Sequence, residues 1–195
     1  NDSIGIVESG SETFDAEVSG SMGDTLMLVN QAELPTRNFN FTTENDVYTV
    51  TQDLGTTSSG ALNIVGVADG ENRSTVDLSD FTGFELADET VLTIKGAKLT
   101  GNETLVTVSN ANAVVNLEDA YMDGNVVSTT VYNANISGDT TLGGTLDNAN
   151  ATMTSGTLKF NPNTFENATL NVQSGRVSTN DEVIDNYTIG TLTSN

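Results

Sequence analysis

A turn motif that recurs at a constant distance is the feature that most restricts how this chain can fold. Gly101 and Asn102 are followed 23 residues later by Gly124 and Asn125. The triplet Asn-Ala-Asn at 110–112 returns at 133–135 with the same offset, and it occurs a third time at 148–150. Repeats this short suit a solenoid whose turns vary in length, whereas a propeller blade needs about 40 residues or more.

The segments between these turns alternate apolar and polar residues with a period of two. Short runs of this kind are found at 61–67, 91–94, 105–108, 114–117 and 169–172, and Gly, Asn or Asp follows each of them closely. No stretch keeps a helical apolar period over three turns, and β-branched residues are dense. The sequence therefore predicts an all-β fold, a right-handed parallel β-solenoid, with an antiparallel sandwich as the alternative.

A solenoid makes specific predictions about neighbouring residues, because each strand pairs in register with the next turn, about 4.7–4.9 Å away. The 23-residue offset predicts that Asn110 stacks on Asn133, that Asn112 stacks on Asn135, and that Val108 lies beside Val131. The side chains predicted to point inward are Val106, Val108, Val115, Leu117, Ile136, Leu142, Leu146, Leu158 and Leu170.

The chain is expected to divide near residue 60. Residues 1–59 contain Pro35 and an acidic run, and we expect them to form an N-terminal cap or irregular first turns. Residues 60–195 are expected to form six or seven solenoid turns. Because the sequence begins at Asn1 without Met, we also expect it to be part of a longer chain.

The charge and the missing residue types exclude several functions. The chain has 27 acidic and 6 basic residues, a net charge of −21, and no Cys, His or Trp. Binding to nucleic acid or to an anionic membrane surface requires clustered Lys and Arg, so neither is expected. Zinc sites, thiol chemistry and His-based triads are excluded. No run is long enough to insert into a membrane as a helix.

Residues 98–177, with short strands between T-x-N-A-N, G-N and S-G turns, resemble the passenger region of bacterial autotransporter adhesins. The wider resemblance covers residues 60–191. It implies a parallel β-helix that is secreted to the bacterial cell surface. An outer-membrane barrel and an autochaperone segment, which that family carries, are absent from these 195 residues.

Acidic turns are the candidates for calcium binding. Asp119, Asp123 and Asn125 place two carboxylates and an amide near one turn, and oxygen-rich turns can hold calcium. Asp88 with Glu89, and Asp181 with Glu182 and Asp185, are similar groups. None has the spacing of an EF-hand or of a calcium-binding β-roll, so solvated turns are the preferred interpretation, and no metal or cofactor is predicted.

A β-helix carbohydrate-active enzyme, a polysaccharide lyase or glycoside hydrolase, is the main functional alternative. A lyase needs a cationic base beside carboxylates, and a hydrolase needs two convergent carboxylates, for which Asp77 and Asp80 are candidates. Of the six cations, only Lys95 and Lys98 are close in sequence; the others are Arg37, Arg73, Lys159 and Arg176. Ice binding is disfavoured because Thr does not recur as T-x-T at one position of successive turns.

We therefore expect a structural or adhesive segment of a secreted bacterial surface protein that is not an enzyme. Its expected partner is a glycan or protein on a host or neighbouring cell.

Overall fold

The structure is a computed structural model that describes residues 38–41, 60–80, 83–87 and 89–179 with their side chains. It also describes the backbone of the strands at 3–6, 14–18, 24–28, 36–37, 47–50, 56–57, 182–184 and 190–193.

Short strands make up nearly all of the regular structure of the described residues. In chain order they are β1 (Ser3–Ile6), β2 (Phe14–Val18), β3 (Asp24–Leu28), β4 (Thr36–Phe41), β5 (Val47–Val50), β6 (Thr56–Thr57), β7 (Gly60–Val65), β8 (Ala68–Asp69), β9 (Asn72–Asp77), β10 (Phe84–Leu86), β11 (Thr90–Lys95), β12 (Ala97–Thr100), β13 (Thr104–Val108), β14 (Val114–Glu118), β15 (Tyr121–Met122), β16 (Asn125–Ser128), β17 (Tyr132–Ser137), β18 (Thr140–Leu142), β19 (Ala149–Met153), β20 (Thr157–Phe160), β21 (Thr169–Val172), β22 (Arg176–Thr179), β23 (Glu182–Ile184) and β24 (Gly190–Thr193).

The strands form three sheets that the chain visits in rotation. The nine-stranded sheet has the order β2-β4-β7-β11-β14-β17-β19-β21-β24. An eleven-stranded sheet follows β1-β3-β5-β9-β12-β15-β18-β20-β22-β23, with β8 beside β9, and a four-stranded sheet follows β16-β13-β10-β6. Pairing is parallel except for β8 with β9, β22 with β23, and β21 with β24. The prediction of an all-β parallel β-solenoid is confirmed.

Turn length varies along the solenoid while the register of the nine-stranded sheet continues. Ala61 pairs with Val91, Val91 with Val114, and Val114 with Asn133. These steps are 30, 23 and 19 residues long, and the next two, to Asn150 and Thr169, are 17 and 19. Because only strands must match between turns, the loops absorb the difference. The longest turn contains the hairpin of β8 and β9.

The 23-residue offset therefore holds for some steps of the solenoid only. It relates β9 to β12 and β12 to β15 in the eleven-stranded sheet, but in the four-stranded sheet Val108 pairs with Ser128, 20 residues later. The prediction that Val108 lies beside Val131 is wrong, since Val131 lies in the turn after β16 and is 63% exposed.

The predicted stacking of the two Asn-Ala-Asn triplets is also wrong. Residues 110–112 lie in the turn before β14, whereas residues 133–135 lie within β17. Asn133 pairs with Val114, and Asn135 pairs with Asn116. The turn that precedes β17 is shorter than the turn that precedes β14. Residues that are 23 positions apart in sequence therefore lie in a turn in one case and in a strand in the other.

Stacked amides do occur, in a register that the repeat did not predict. The Asn135 side chain donates a hydrogen bond of 2.9 Å to the Asn116 Oδ1, and Asn63 donates one of 2.6 Å to Asn38. These outward side chains satisfy one another between turns of the nine-stranded sheet, as amide ladders do in stacked strands.

The core is a continuous apolar column enclosed by the three sheets. All nine side chains predicted to point inward are buried. In the nine-stranded sheet, Leu92, Val115 and Ala134 follow one another at one inward position, and Ile94, Leu117 and Ile136 at the next. Strands β2 and β4 continue this sheet before residue 60, and the division of the chain at that residue stays a prediction.

Candidate functional site

An inserted hairpin forms one wall of a groove on the surface of the described residues. After β7, residues 68–73 turn back on themselves, and Ala68 pairs antiparallel with Arg73. We call residues 68–73 the strap, because its side chains contact turns that lie much later in the chain. The 30-residue turn of the solenoid is longer than its successors because it contains this insertion.

Arg73 fastens the strap to two later turns. Its guanidinium donates hydrogen bonds to the carbonyl oxygens of Asp119 at 2.6 Å and Asp139 at 2.5 Å, and to that of Glu71 at 3.1 Å. The residue is only 7% exposed. Hydrogen bonds from a charged donor are stronger than neutral ones, so this buried contact holds the strap against the solenoid.

An ion pair closes the far end of the strap. The Lys159 Nζ lies 2.7 Å from the Glu71 Oε1, although 88 residues separate them in sequence. The hydrogen bond and positive charge of Lys159 lower the pKa of the Glu71 carboxyl, and Arg73 contributes in the same direction. Both side chains are substantially exposed, so the pair adds little stability, but it sets where the tip of the strap lies.

A groove separates the strap from the outer face of the eleven-stranded sheet. Its volume is about 470 Å³, and its lining comprises Gly70, Glu71, Arg73, Tyr121, Asp139, Thr140, Thr141, Thr157 and Lys159. A second cavity of about 370 Å³ also borders Tyr121, Thr141 and Lys159, and it extends towards Asn161. The two cavities adjoin at these three residues, and we call them together the groove; each has a size typical of small-molecule sites.

Tyr121 is the partly exposed aromatic side chain of the groove, whereas Phe160, which also borders the second cavity, is buried. Lys98, Tyr121, Thr141 and Lys159 occupy one outward row, since each pairs with the next across adjacent strands. The Lys98 Nζ lies 4.5 Å from the centre of the Tyr121 ring, a cation–π contact, and 3.5 Å from an Asp123 carboxylate oxygen. In the part of the chain whose side chains are described, every other aromatic side chain is buried, whereas Tyr121 is partly exposed.

Positive and negative groups balance around the groove, in a chain whose net charge is −21. Arg73 and Lys159 line it and Lys98 flanks it, so half of the six basic residues meet here. Three carboxylates also belong to the groove: Glu71 and Asp139 in the first cavity, and Asp123 in the second. The site thus offers cationic donors, carboxylate acceptors and threonine hydroxyls beside the ring of Tyr121.

The carboxylates of the candidate calcium turn, for which a solvated turn was the preferred interpretation, accept hydrogen bonds from neighbouring turns. The Asp119 Oδ1 accepts a hydrogen bond of 2.8 Å from the Asp139 backbone N–H. Asp123 accepts one of 3.0 Å from the Thr100 hydroxyl and contacts Lys98. Within the described ranges, no three Asp or Glu side chains converge as a metal-binding group.

The other acidic candidates stand apart. Glu89 accepts a hydrogen bond of 3.3 Å from the Asn112 side chain, while Asp88, Asp181 and Asp185 lie outside the described residues. Of the carboxylates considered for a hydrolase, Asp77 accepts a hydrogen bond of 2.9 Å from the Ser79 backbone N–H within its own turn. Neither Glu89 nor Asp77 lines the groove.

Sequence reasoning missed the residues that meet in the groove. Lys95 and Lys98 were the neighbouring cations in sequence, but Lys95 pairs with Glu118 at 3.0 Å, apart from the groove residues. Arg73 and Lys159 converge only because the strap runs across several turns. The one signal in the sequence was the spacing of 30 residues between the strands at 61–65 and 91–95, which exceeds the other repeats and indicates an insertion.

No helix in the described ranges has the length and hydrophobicity needed to cross a bilayer. No family model matches the chain, and no curated protein and no solved structure is significantly similar to it.

Proposed function

We propose that this chain is a structural and adhesive segment of a secreted bacterial surface protein, and that it binds a glycan or protein on a host or neighbouring cell. The single observation that carries this proposal is the groove, whose charged groups are already engaged with one another or with the backbone. Lys159 is paired with Glu71, and Arg73 is bound to three carbonyl oxygens. Such a site supports recognition better than proton transfer.

The enzymatic alternative is a polysaccharide lyase or a glycoside hydrolase. A lyase base must accept a proton, and an ammonium held at 2.7 Å from a carboxylate is stabilised in its protonated form. A hydrolase acid needs a raised pKa, whereas the pKa of Glu71 is lowered by Lys159. Both observations favour binding without turnover.

Placement at a bacterial cell surface is part of the same proposal. It is supported by the Cys-free, acidic composition and by the resemblance of residues 98–177 to autotransporter passengers. A stacked solenoid also suits a structural segment, since each turn contacts only its neighbours and the core continues along the axis.

Adhesion and turnover can be measured on the same protein. Beads coated with the chain are passed over cell monolayers under flow, with albumin-coated beads as the control. Cells treated beforehand with protease or with glycosidases distinguish a protein partner from a glycan. In parallel, uronate-containing and neutral polysaccharides are incubated with the chain, with and without calcium, and new reducing ends and unsaturated products are measured.

We expect retention of the coated beads and no product. Release of product above the background of a heat-unfolded sample would support the enzymatic alternative instead. Absence of retention on every cell type would contradict the adhesive role.

A further inference from the structure

We propose that the groove between the strap and the eleven-stranded sheet binds a neutral oligosaccharide, with Tyr121 as its aromatic contact. This inference rests on the proposed adhesive function and names the chemical class of the partner. Three features carry it: the partly exposed aromatic ring, the composition of the lining and the shape of the groove.

The exposure of Tyr121 is the first feature. Aromatic side chains are buried at every other position whose side chain is described, so a partly exposed ring on an outward strand position is exceptional in this molecule. It also borders both cavities of the groove. A sugar ring presents a face of polarised C–H groups, and these are attracted to the negative face of an aromatic ring while apolar surface is buried.

The lining supplies partners for sugar hydroxyl groups, each of which is both a donor and an acceptor. Asp139 and Asp123 supply carboxylate acceptors, Lys159 supplies donors, and Thr141 supplies a hydroxyl that does both. Mixed donors and acceptors beside an aromatic ring match a ligand with apolar faces and a hydroxyl rim.

The charge distribution selects a neutral ligand. Each cation at the groove has a neighbouring carboxylate or carbonyl partner, so no uncompensated positive charge is left for an anion. The whole chain carries a net charge of −21, and its field repels polyanions such as polyuronates. A neutral saccharide avoids both penalties.

The shape of the groove favours an extended ligand. Tyr121, Thr141 and Lys159 lie on successive strands, so the row spans two strand steps, about 10 Å along the solenoid axis. The two adjoining cavities share these residues and are open to solvent on one side. More than one sugar ring of a chain can therefore lie along the row.

The test uses the intact chain and defined probes. Neutral gluco-, manno-, galacto- and xylo-hexasaccharides and the anionic oligogalacturonate are titrated at millimolar concentration, and amide chemical shifts are followed by NMR. We expect at least one neutral probe to shift the amides of Thr141 and Gly143. Tyr121→Ala should weaken that affinity about tenfold or more, Tyr121→Phe should change it less than about threefold, and Val131→Ala, at an exposed site outside the groove, should leave it unchanged.

Three results would overturn the inference: no shift with any neutral probe, shifts only with oligogalacturonate, or binding that maps elsewhere and survives Tyr121→Ala. If circular dichroism shows that Tyr121→Ala does not fold, the inference is still tested by which amides shift in the wild type and by the affinity of Tyr121→Phe. Coated beads that adhere while no neutral probe binds would refute this site and leave the adhesive function standing. Binding at the groove without bead adhesion would support this site and refute the adhesive function.

Discussion

The hydroxyl group of Tyr132 provides a quantitative test of the packing in the solenoid. Tyr132 begins β17 and is 1% exposed. Its oxygen has no hydrogen-bond partner in the protein, and it is the one buried side-chain N or O atom in the described residues of which this is true. Burial raises the pKa of this phenol, and the negative charge of Asp147 raises it further.

The change to make is Tyr132→Phe, which keeps the ring and removes the hydroxyl. A buried polar group without a partner costs about 1–3 kcal/mol, so we expect the variant to be more stable than the wild type by about 1–2 kcal/mol. In a chain of 195 residues this corresponds to a rise in Tm of about 2–8 °C.

The same residue makes stability depend on alkaline pH. The pKa of Tyr132 in the folded chain is raised above the ordinary value of 10.0, so the unfolded state releases this proton first as pH increases. Below about pH 10 this proton is bound in both states and does not change the free energy of unfolding. Above that value the free energy of unfolding falls, because the folded state keeps a proton that the unfolded state loses. The advantage of Tyr132→Phe should therefore grow above pH 10.

Urea unfolding at several pH values measures both effects, with Tyr121→Phe as the matched control at a partly exposed site. The control should differ from the wild type by less than about 0.5 kcal/mol. A Tyr132→Phe variant that is less stable than the wild type at neutral pH would refute the reasoning, because the hydroxyl would then be making a favourable hydrogen bond.

Three further tests by chemical unfolding use substitutions in the turns and in the strap. Gly156 has a φ of +78°, and an added Cβ would collide with the Gly138 backbone, so Gly156→Ala should lower the free energy of unfolding by more than about 3 kcal/mol. The control Gly70→Ala, at a φ of +61° in open space, should lower it by about 1 kcal/mol. Equal losses would contradict the packing argument. Arg73→Met keeps the apolar stem but removes three hydrogen bonds, and we expect a loss of about 2–4 kcal/mol; a loss below about 1 kcal/mol would show that the strap is not fastened there. Asp119→Ala should lower the free energy of unfolding by about 1–2 kcal/mol, because it removes a hydrogen-bond acceptor at a position whose φ is 48°. Asp119→Asn should lower it by less than about 0.5 kcal/mol, because Asn tolerates this φ and keeps an acceptor. The reverse order would be inconsistent with the turn geometry.

Local sequence was sufficient to predict the class of fold and the inward face of each strand. Side chains alternate along an extended strand, so the period-two pattern around Val115 and Leu117 identifies which residues enter the core without any knowledge of the neighbours. The predicted inward residues are buried for this reason. The Ser-Gly turns at 155–156 and 174–175 also stack, since an added Cβ on Gly175 would lie 2.5 Å from the Gly156 carbonyl oxygen.

The register between successive turns of the solenoid could not be predicted from local sequence. A parallel solenoid matches strands and leaves loops free to change length, so the step between stacked residues varies from 17 to 30 along the nine-stranded sheet. The repeated Asn-Ala-Asn triplets therefore fall in a turn at one occurrence and in a strand at another.

What the sequence by itself determined is thus the alternation of strands and turns, the apolar core and the strongly acidic surface. Only the tertiary structure decided the groove, because its residues meet through the strap. Arg73 reaches carbonyl oxygens 46 and 66 residues away, and Glu71 meets Lys159 at a separation of 88 residues. These distances depend on the number and length of all intervening turns. No local sequence pattern contains this information, so the convergence of cations and an aromatic ring in the groove is apparent only in the folded chain.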